Sequence, residues 1–260
     1  LKSGSAWMPD NQINGVDFVL PFRFSEGTWS LGTRGPVTLR IGEVVNLVTA
    51  RNITADLQGD YPWTEDNPLL LTNVKVETLG GKITMQQLRM PQHDPALLRV
   101  DNISSSELIS AVNPKQFAMS GPVSGALPFW LDNEKWIIKD GWLTNPGPMT
   151  LRIDKDTADA IVKDNMVAGA AINWLRYMEI SRSWTRINLD NLGELTMQAT
   201  IKGTSRVDGK SSSVNLNYTH DENVFTLWRS LRFGDNLQTW FEQHAAIPGL
   251  RSSTGKESEE

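Results

Sequence analysis

The chain has 260 residues, which is enough to bury a core as one elongated domain or two modest ones. Its net charge is -5 and it has no basic run, which argues against nucleic acid as a partner; no apolar run is long enough to span a bilayer, and the absence of cysteine rules out disulfide and thiolate chemistry. With 39% hydrophobic residues and a mean hydropathy of -0.33 the composition reads as that of a soluble protein, and the start at Leu1, without a signal-peptide pattern, reads as a fragment of something longer.

Residues 1–153 read as almost all strand and turn. Val16, Phe18, Leu20, Phe22 and Phe24 alternate strictly, and Pro21 among them points to a sheet edge. Val37, Leu39 and Ile41 predict a strand, as do Ile53, Ala55 and Leu57, and then Leu70, Val74 and Val76. Ile83 and Met85 share one parity and Leu88 and Met90 the other, which predicts a bulge at Gln86-Gln87. Ser104–Val112 reads as a helix, with Ser104 or Ser105 as its cap, Glu107 in its first turn and Pro114 beyond its end. The strongest signal is Phe117–Leu131. Phe117, Met119, Val123, Leu127, Phe129 and Leu131 fall on one parity, Gly121 and Gly125 keep the phase, and Ser120, Ser124 and Asp132 take the other, so a single long strand with one apolar face is predicted. The Gly121-x-x-x-Gly125 spacing used by membrane helices belongs here to a strand. Asp132-Asn133 reads as a turn before Trp136–Trp142, and Asn145-Pro-Gly-Pro148 as a break before Met149, Leu151 and Ile153.

Residues 154–246 are mixed. A helix is predicted from Asp154 or Asp156 through Ala158, Ile161, Val162, Met166, Ala170, Trp174, Leu175 and Met178, with a weak point at Gly169. Three strands follow, carrying Ile187 and Leu189; Leu195, Met197, Ala199 and Ile201; and Val214, Leu216 and Tyr218. Asp208-Gly209 is a hairpin signal between the last two. Asp221 is read as the cap of a helix with Val224, Leu227, Trp228 and Leu231; after Gly234 a second helix carries Leu237, Trp240 and Phe241. Both are expected to cap the end of the sheet. Residues 247–260 are polar and charged and are expected to be disordered.

No catalytic set emerges. His93 lies in a turn, His220 before a helix start and His244 near a helix end, and each reads as structural or solvated. Asp154, Asp156 and Asp159 lack the glycine and distal glutamate of a calcium loop. Nucleophile-elbow, zinc-protease and phosphate-loop patterns are absent. The chain is therefore read as a non-enzyme with no metal or cofactor. Asn-x-Ser/Thr triplets at Asn52, Asn102 and Asn217 matter as glycan sites only in a eukaryotic secreted protein.

Alternating strands admit two architectures. One is a closed sandwich or barrel whose apolar faces meet; it would serve as a protein-interaction or envelope-assembly module without lipid. The other is a mainly β fold of long amphipathic antiparallel strands curled into an open apolar groove, with a few short helices at the C-terminal end. Such a groove suits acyl chains, whose burial contributes about 0.8 kcal/mol per methylene. Periodicity leaves both open, because each needs one apolar face per strand.

A resemblance favours the second. The segment Ser120-Gly-Pro-Val-Ser-Gly-Ala-Leu-Pro-Phe129, then Asp140-Gly-Trp-Leu143 and Asn145-Pro-Gly-Pro-Met-Thr-Leu-Arg-Ile153, resembles the signature of the YdbH branch of the AsmA-like proteins. The run from Glu222 to Phe241 resembles the C-terminal end of that branch, so the likeness covers residues 12–246. Met149 stands where the motif often carries glycine. The resemblance implies a periplasmic β-groove in a Gram-negative bacterium, held by an inner-membrane anchor outside this segment. It implies phospholipid moving between inner and outer membrane, and a small outer-membrane lipoprotein of the YnbE type docked at the C-terminal end. On this reading residues 1–153 are a groove segment with Phe117, Met119, Val123, Leu127, Phe129 and Leu131 as one wall. Residues 154–246 hold a helix, the terminal sheet and the capping helices, with Leu195, Met197, Ala199, Ile201, Val214, Leu216 and Tyr218 lining the distal end. Ala199 and the two glycines, Gly121 and Gly125, would keep the groove wide. A lipoprotein strand would pair along Leu195, Met197 and Ile201 or along Val214 and Leu216; which strand is the edge stays open. Leu227, Trp228, Leu231, Trp240 and Phe241 would form the cap.

Overall fold

A computed structural model describes residues 4–8, 11–46, 48–112, 117–156, 176–207 and 209–226. The first strands are β1 (Gly4–Met8), β2 (Asn11–Asp17), β3 (Phe22–Ser25), β4 (Thr28–Leu31), β5 (Val37–Val45), β6 (Thr49–Tyr61), β7 (Leu69–Thr78), β8 (Gly81–Met90) and β9 (Ala96–Ser104). Helix α1 (Ser105–Val112) follows, then β10 (Phe117–Ser120), β11 (Pro122–Phe129), β12 (Trp136–Thr144) and β13 (Met149–Ile153). The last strands are β14 (Tyr177–Asp190), β15 (Glu194–Val207) and β16 (Lys210–Asn223). All belong to one 16-stranded antiparallel sheet that does not close into a barrel; its main path runs β1-β2-β5-β6-β7-β8-β9-β11-β12-β14-β13-β10, with β15 and β16 following β14 and the β3–β4 hairpin attached to β6. The open, mainly β reading thus holds.

Several elements differ from the sequence reading. The alternation from Val16 to Phe24 is two strands, because Pro21 removes a ladder donor and the chain turns there; the Pro21 carbonyl instead accepts from the Gly32 N–H at 2.9 Å. Strand β9 was not anticipated. The long strand from Phe117 is broken at Gly121, which sits at φ +109°, and it ends at Phe129. Here β9 stops and α1 takes over the flank: buried Ser105 donates from both its N–H (3.0 Å) and its hydroxyl (2.8 Å) to the Gly121 carbonyl. The facing strand is broken at the same level by Asn145–Pro148, so β10–β13 and β11–β12 are two halves of one interrupted hairpin. Met178, assigned by spacing to a helix, lies in β14; residues 157–175, where most of that helix was expected, lie outside the described residues. Strand β16 continues through Asp221 to Asn223, and it is the Asn223 side chain that accepts from the Thr226 N–H at 2.9 Å. Ser104 does cap α1, its hydroxyl accepting from the Glu107 N–H.

Asparagine and aspartate shape the ladders. Asn52, Asn73, Asn102 and Asp140 all have φ near +50°, a left-handed conformation that short polar side chains tolerate. Register shifts fall beside Asn52 and Asp140, between residues 51 and 54 of β6 and between 138 and 141 of β12. Each site is braced across the sheet: Asn52 Nδ2 donates to Glu77 at 2.7 Å, Asn73 Nδ2 to Asp56 at 3.0 Å, the Asn102 N–H to Ser124 Oγ at 2.9 Å and the Asp140 N–H to Asn188 Oδ1 at 2.8 Å. The Asn73 bond, with a second from Thr38, holds the Asp56 carboxyl below its ordinary pKa; the Asn52 bond does the same for Glu77, helped by Lys75. No bulge occurs at Gln86-Gln87. The β7–β8 register is unbroken there, and the parity slip is taken up by positive-φ Asn73, which the register sets opposite Gln86. Hence Leu69 and Leu71, not Leu70, join the core beside Leu88 and Met90.

The two faces differ. Across the polar face Glu43, Arg51, Glu77, Lys82 and Asp101 are successive cross-strand partners of alternating charge, exposed pairs that solvent screens. The other face holds two clusters. One is Met85, Leu88, Met90 and Ala96, with Trp63, Leu98 and Phe129 against it; the other is Met149, Met178, Ile180 and Val214, with Met119, Val123, Leu151 and Ile201.

One margin of the sheet is laced turn to turn. Arg89 Nη2 donates to the Glu65 carbonyl, and Gln92 Oε1 accepts from the Leu131 and Asp132 N–H groups. Asn191 Nδ2 donates to the Asn133 carbonyl, and Asn223 Nδ2 to that of Leu192.

Met178 is 1% exposed at the centre of the second cluster. Met178→Ala is expected to lower the unfolding free energy by about 2–5 kcal/mol, measured by urea denaturation. Tyr177→Ala, one residue away on the other face, is expected to cost less than about 1 kcal/mol.

Candidate functional site

The apolar face is continuous because the register keeps one parity inward on strand after strand. Val76, Ile83, Val100, Gly125, Leu143, Thr185, Ala199 and Tyr218 are successive cross-strand partners from β7 to β16. A parallel row runs Val74, Met85, Leu98 and Leu127, then Gly141, Ile187 and Met197, ending at His220. A third runs Ala96, Phe129, Ile138, Leu189 and Leu195, ending at Glu222. The face is therefore apolar over most of these rows and polar at the C-terminal end of its last strand, where His220 and Glu222 lie 3.6 Å apart.

The expected lining residues fall in different places. Met119, Val123, Ile201 and Val214 are brought together in the second cluster. Phe129 packs on the first cluster, and Leu127 Cδ2 lies 2.8 Å from where a Cβ on Gly141 would stand. Leu195, Met197, Ala199 and Tyr218 occupy register positions of these rows on β15 and β16, Leu216 is the register partner of Ile201 outside them, and Phe117 lies opposite Ile153. Leu131 lies past the end of β11 in a turn, 62% exposed, its N–H donating to Gln92. Leu227, Trp228, Leu231, Trp240 and Phe241 lie outside the described residues.

The glycines have a tighter role than widening the face. A Cβ on Gly125 would meet the Trp142 carbonyl oxygen at 2.0 Å, and one on Gly121 would meet that of Pro148 at 2.5 Å. Both admit close backbone approach. Gly203 does the same against the Glu179 carbonyl, at 2.2 Å, and stands in register between Ile180 and Val214, which belong to one cluster.

Sequence reasoning missed Leu98, Val100, Ile138 and Leu143. The first two alternate in Ala96–Val100, a legible strand signal; the last two change parity at Asp140, whose positive φ no pattern announces. It also left the aromatic hairpin β3–β4 without a role. A polar cavity of about 910 Å³ lies on another side, between Arg51, Glu77, Lys82 and Asp101 and helix residues Glu107 and Ser110; none of the expected lining residues borders it. Among the described residues β16 has β15 as its one strand neighbour, so β16 and not β15 is the edge of that hairpin. Among them no helix is long and apolar enough to cross a membrane, and no group of three or more acidic or histidine side chains is placed to hold a metal ion.

Residues 1–246 match the family described as YdbH-like, intermembrane phospholipid transport protein YdbH. The chain is 78% identical over 260 residues to the probable phospholipid transport protein YdbH of Escherichia coli (strain K12); the match covers 100% of this chain and 30% of that relative. No solved structure matches the chain. The family is one of transport and not of catalysis. The chain belongs to the YdbH-like family of intermembrane phospholipid transport proteins.

Proposed function

We propose that this chain is part of a periplasmic bridge that conducts phospholipid between the inner and outer membranes of a Gram-negative bacterium. The observation that carries the reading is the row from Val76 to Ala199, apolar but for Thr185 and unbroken by charge, on a sheet that does not close. Acyl chains lie on this face while headgroups stay in water, and each buried methylene contributes about 0.8 kcal/mol. Residues 1–153 and 154–246 are successive stretches of the conduit, and residues 247–260 a polar tail. Anchoring in the inner membrane is the task of a part of the protein outside this segment. A closed interaction module, the rival reading, fits the open sheet less well.

The C-terminal end is the outer-membrane-proximal one, and its partner is a small YnbE-like lipoprotein that adds a strand. The support is the placement of β16 at the edge of the sheet, with Val214, Leu216 and Tyr218 at register positions that prolong the apolar rows. Main-chain hydrogen bonds give such a strand its affinity and alternating side-chain positions its selectivity.

Photoreactive residues at Leu127 and Phe129 are expected to capture phospholipid, while those at Ser124 and Ala126, on the opposite parity, capture little. Equal labelling on both parities would refute the conduit. Photoreactive residues along Lys210–Asn223 are expected to trap the lipoprotein with residue-by-residue alternation. Lipoprotein adducts confined to Ser105–Val112, and none on β16, would place the docking surface elsewhere.

A further inference from the structure

The β3–β4 hairpin carries aromatic residues that folding does not use. Phe22, Phe24 and Trp29 are 54%, 56% and 43% exposed, and Tyr61 beside them is 53% exposed. They form a connected set: Phe22 and Phe24 lie 5.2 and 4.8 Å from the Trp29 ring, Trp29 is the register partner of Tyr61, and Tyr61 lies 5.7 Å from Trp63. Trp63 packs on the cluster of Met85, Leu88, Met90 and Ala96. The set therefore runs without a gap from the buried apolar face to open solvent. Register agrees: Phe22 pairs with Leu31 and Phe24 with Trp29, so all four side chains share one face of the hairpin, and Leu31 pairs with Gly59, the partner of core residue Leu69. Arg23, Ser25, Thr28 and Ser30 take the other face.

The hairpin is an insertion between β2 and β5, which pair with each other without it. It extends β6 past the point where β5 ends, β5 covering Thr49–Leu57 and β4 covering Gly59–Tyr61. Gln58 Nε2 donates to the Gly32 carbonyl and fixes its base. A four-residue strand that is exposed throughout yet holds two phenylalanines gains little from folding by keeping them.

We propose that Phe22, Phe24, Trp29 and Tyr61 form an acyl-chain contact platform at the margin of the apolar face, where a phospholipid chain passes between the sheet and its surroundings. The inference rests on the conduit reading above and adds a site to it. The occupant is an acyl chain and not a protein strand, because the platform continues the apolar face through ring contacts and the Trp29–Tyr61 register pair. Trp29 and Tyr61 offer an apolar body with a polar tip, which suits the glycerol-ester level of a lipid.

The test uses the full-length protein in cells, with a photoreactive phenylalanine analogue placed singly at Phe22, Phe24, Arg23, Ser30 or Phe129. Phospholipid adducts at Phe22 and Phe24, several-fold above those at Arg23 and Ser30, are the expected result. Adducts at Phe129 with none at Phe22 or Phe24 would overturn the platform and leave the conduit standing. Protein adducts in place of lipid at Phe24 would overturn it in favour of a docking surface. Absence of lipid at Phe129 as well would remove the conduit reading, and the platform with it. As a measurement free of the probe, Trp29→Ser is expected to reduce the phospholipid co-purifying with the protein while leaving its thermal transition in place; an unchanged lipid content counts against the platform.

Discussion

Cross-strand register is the constraint on which everything else in this molecule depends. In a sheet with period two, a slip of one residue turns a strand's whole apolar set to the opposite face. Here the apolar rows stay aligned from β7 to β16, so errors of register would add up strand by strand unless corrected. The left-handed Asn52, Asn73, Asn102 and Asp140 occur where the parity of a strand changes or its ladder shifts, and each is tied to a neighbouring strand by a hydrogen bond. They re-phase the strands locally so that the face remains continuous.

That reliance on register explains what was legible in the sequence. Val37–Ile41, Ile53–Leu57 and Leu195–Ile201 could be read directly, since the first two pair regularly with each other and the third with β14. The polar turns at Asp132-Asn133 and Asn145–Pro148 were equally readable, because Asn133 accepts from the N–H groups of Lys135 and Trp136, and Asn145 from that of Ser183. The break at Gly121 was hidden: its phase matches an unbroken strand, and its cause is Ser105, a residue from a different element. Met178 misled for a related reason, since one methionine at helical spacing carries no sign of the strand it begins.

The apolar face was legible as a property and not as a list. Parity identified Met119, Val123, Ile201 and Val214, and packing groups them. Parity also drew in Leu131, which the end of β11 releases into a turn. The glycines were read for their small size, whereas their neighbours are backbone carbonyl oxygens. Side-chain size and strand spacing are the same quantity seen from two sides: where strands approach closely no Cβ fits, and neighbouring side chains lean into the gap.

The laced margin has a mechanical consequence. Hairpins joined only by ladder hydrogen bonds can be peeled apart from one end, because opening loads the bonds of the ladder one at a time. Gln92, Asn191 and Asn223 add fasteners at the tips of successive hairpins, with Arg89 anchoring the first. Peeling from that margin must break these tip-to-tip bonds as well as the ladders. Pulled across its strands, such a sheet resists separation on that side and yields by fanning on the other, like a folding screen hinged along one edge.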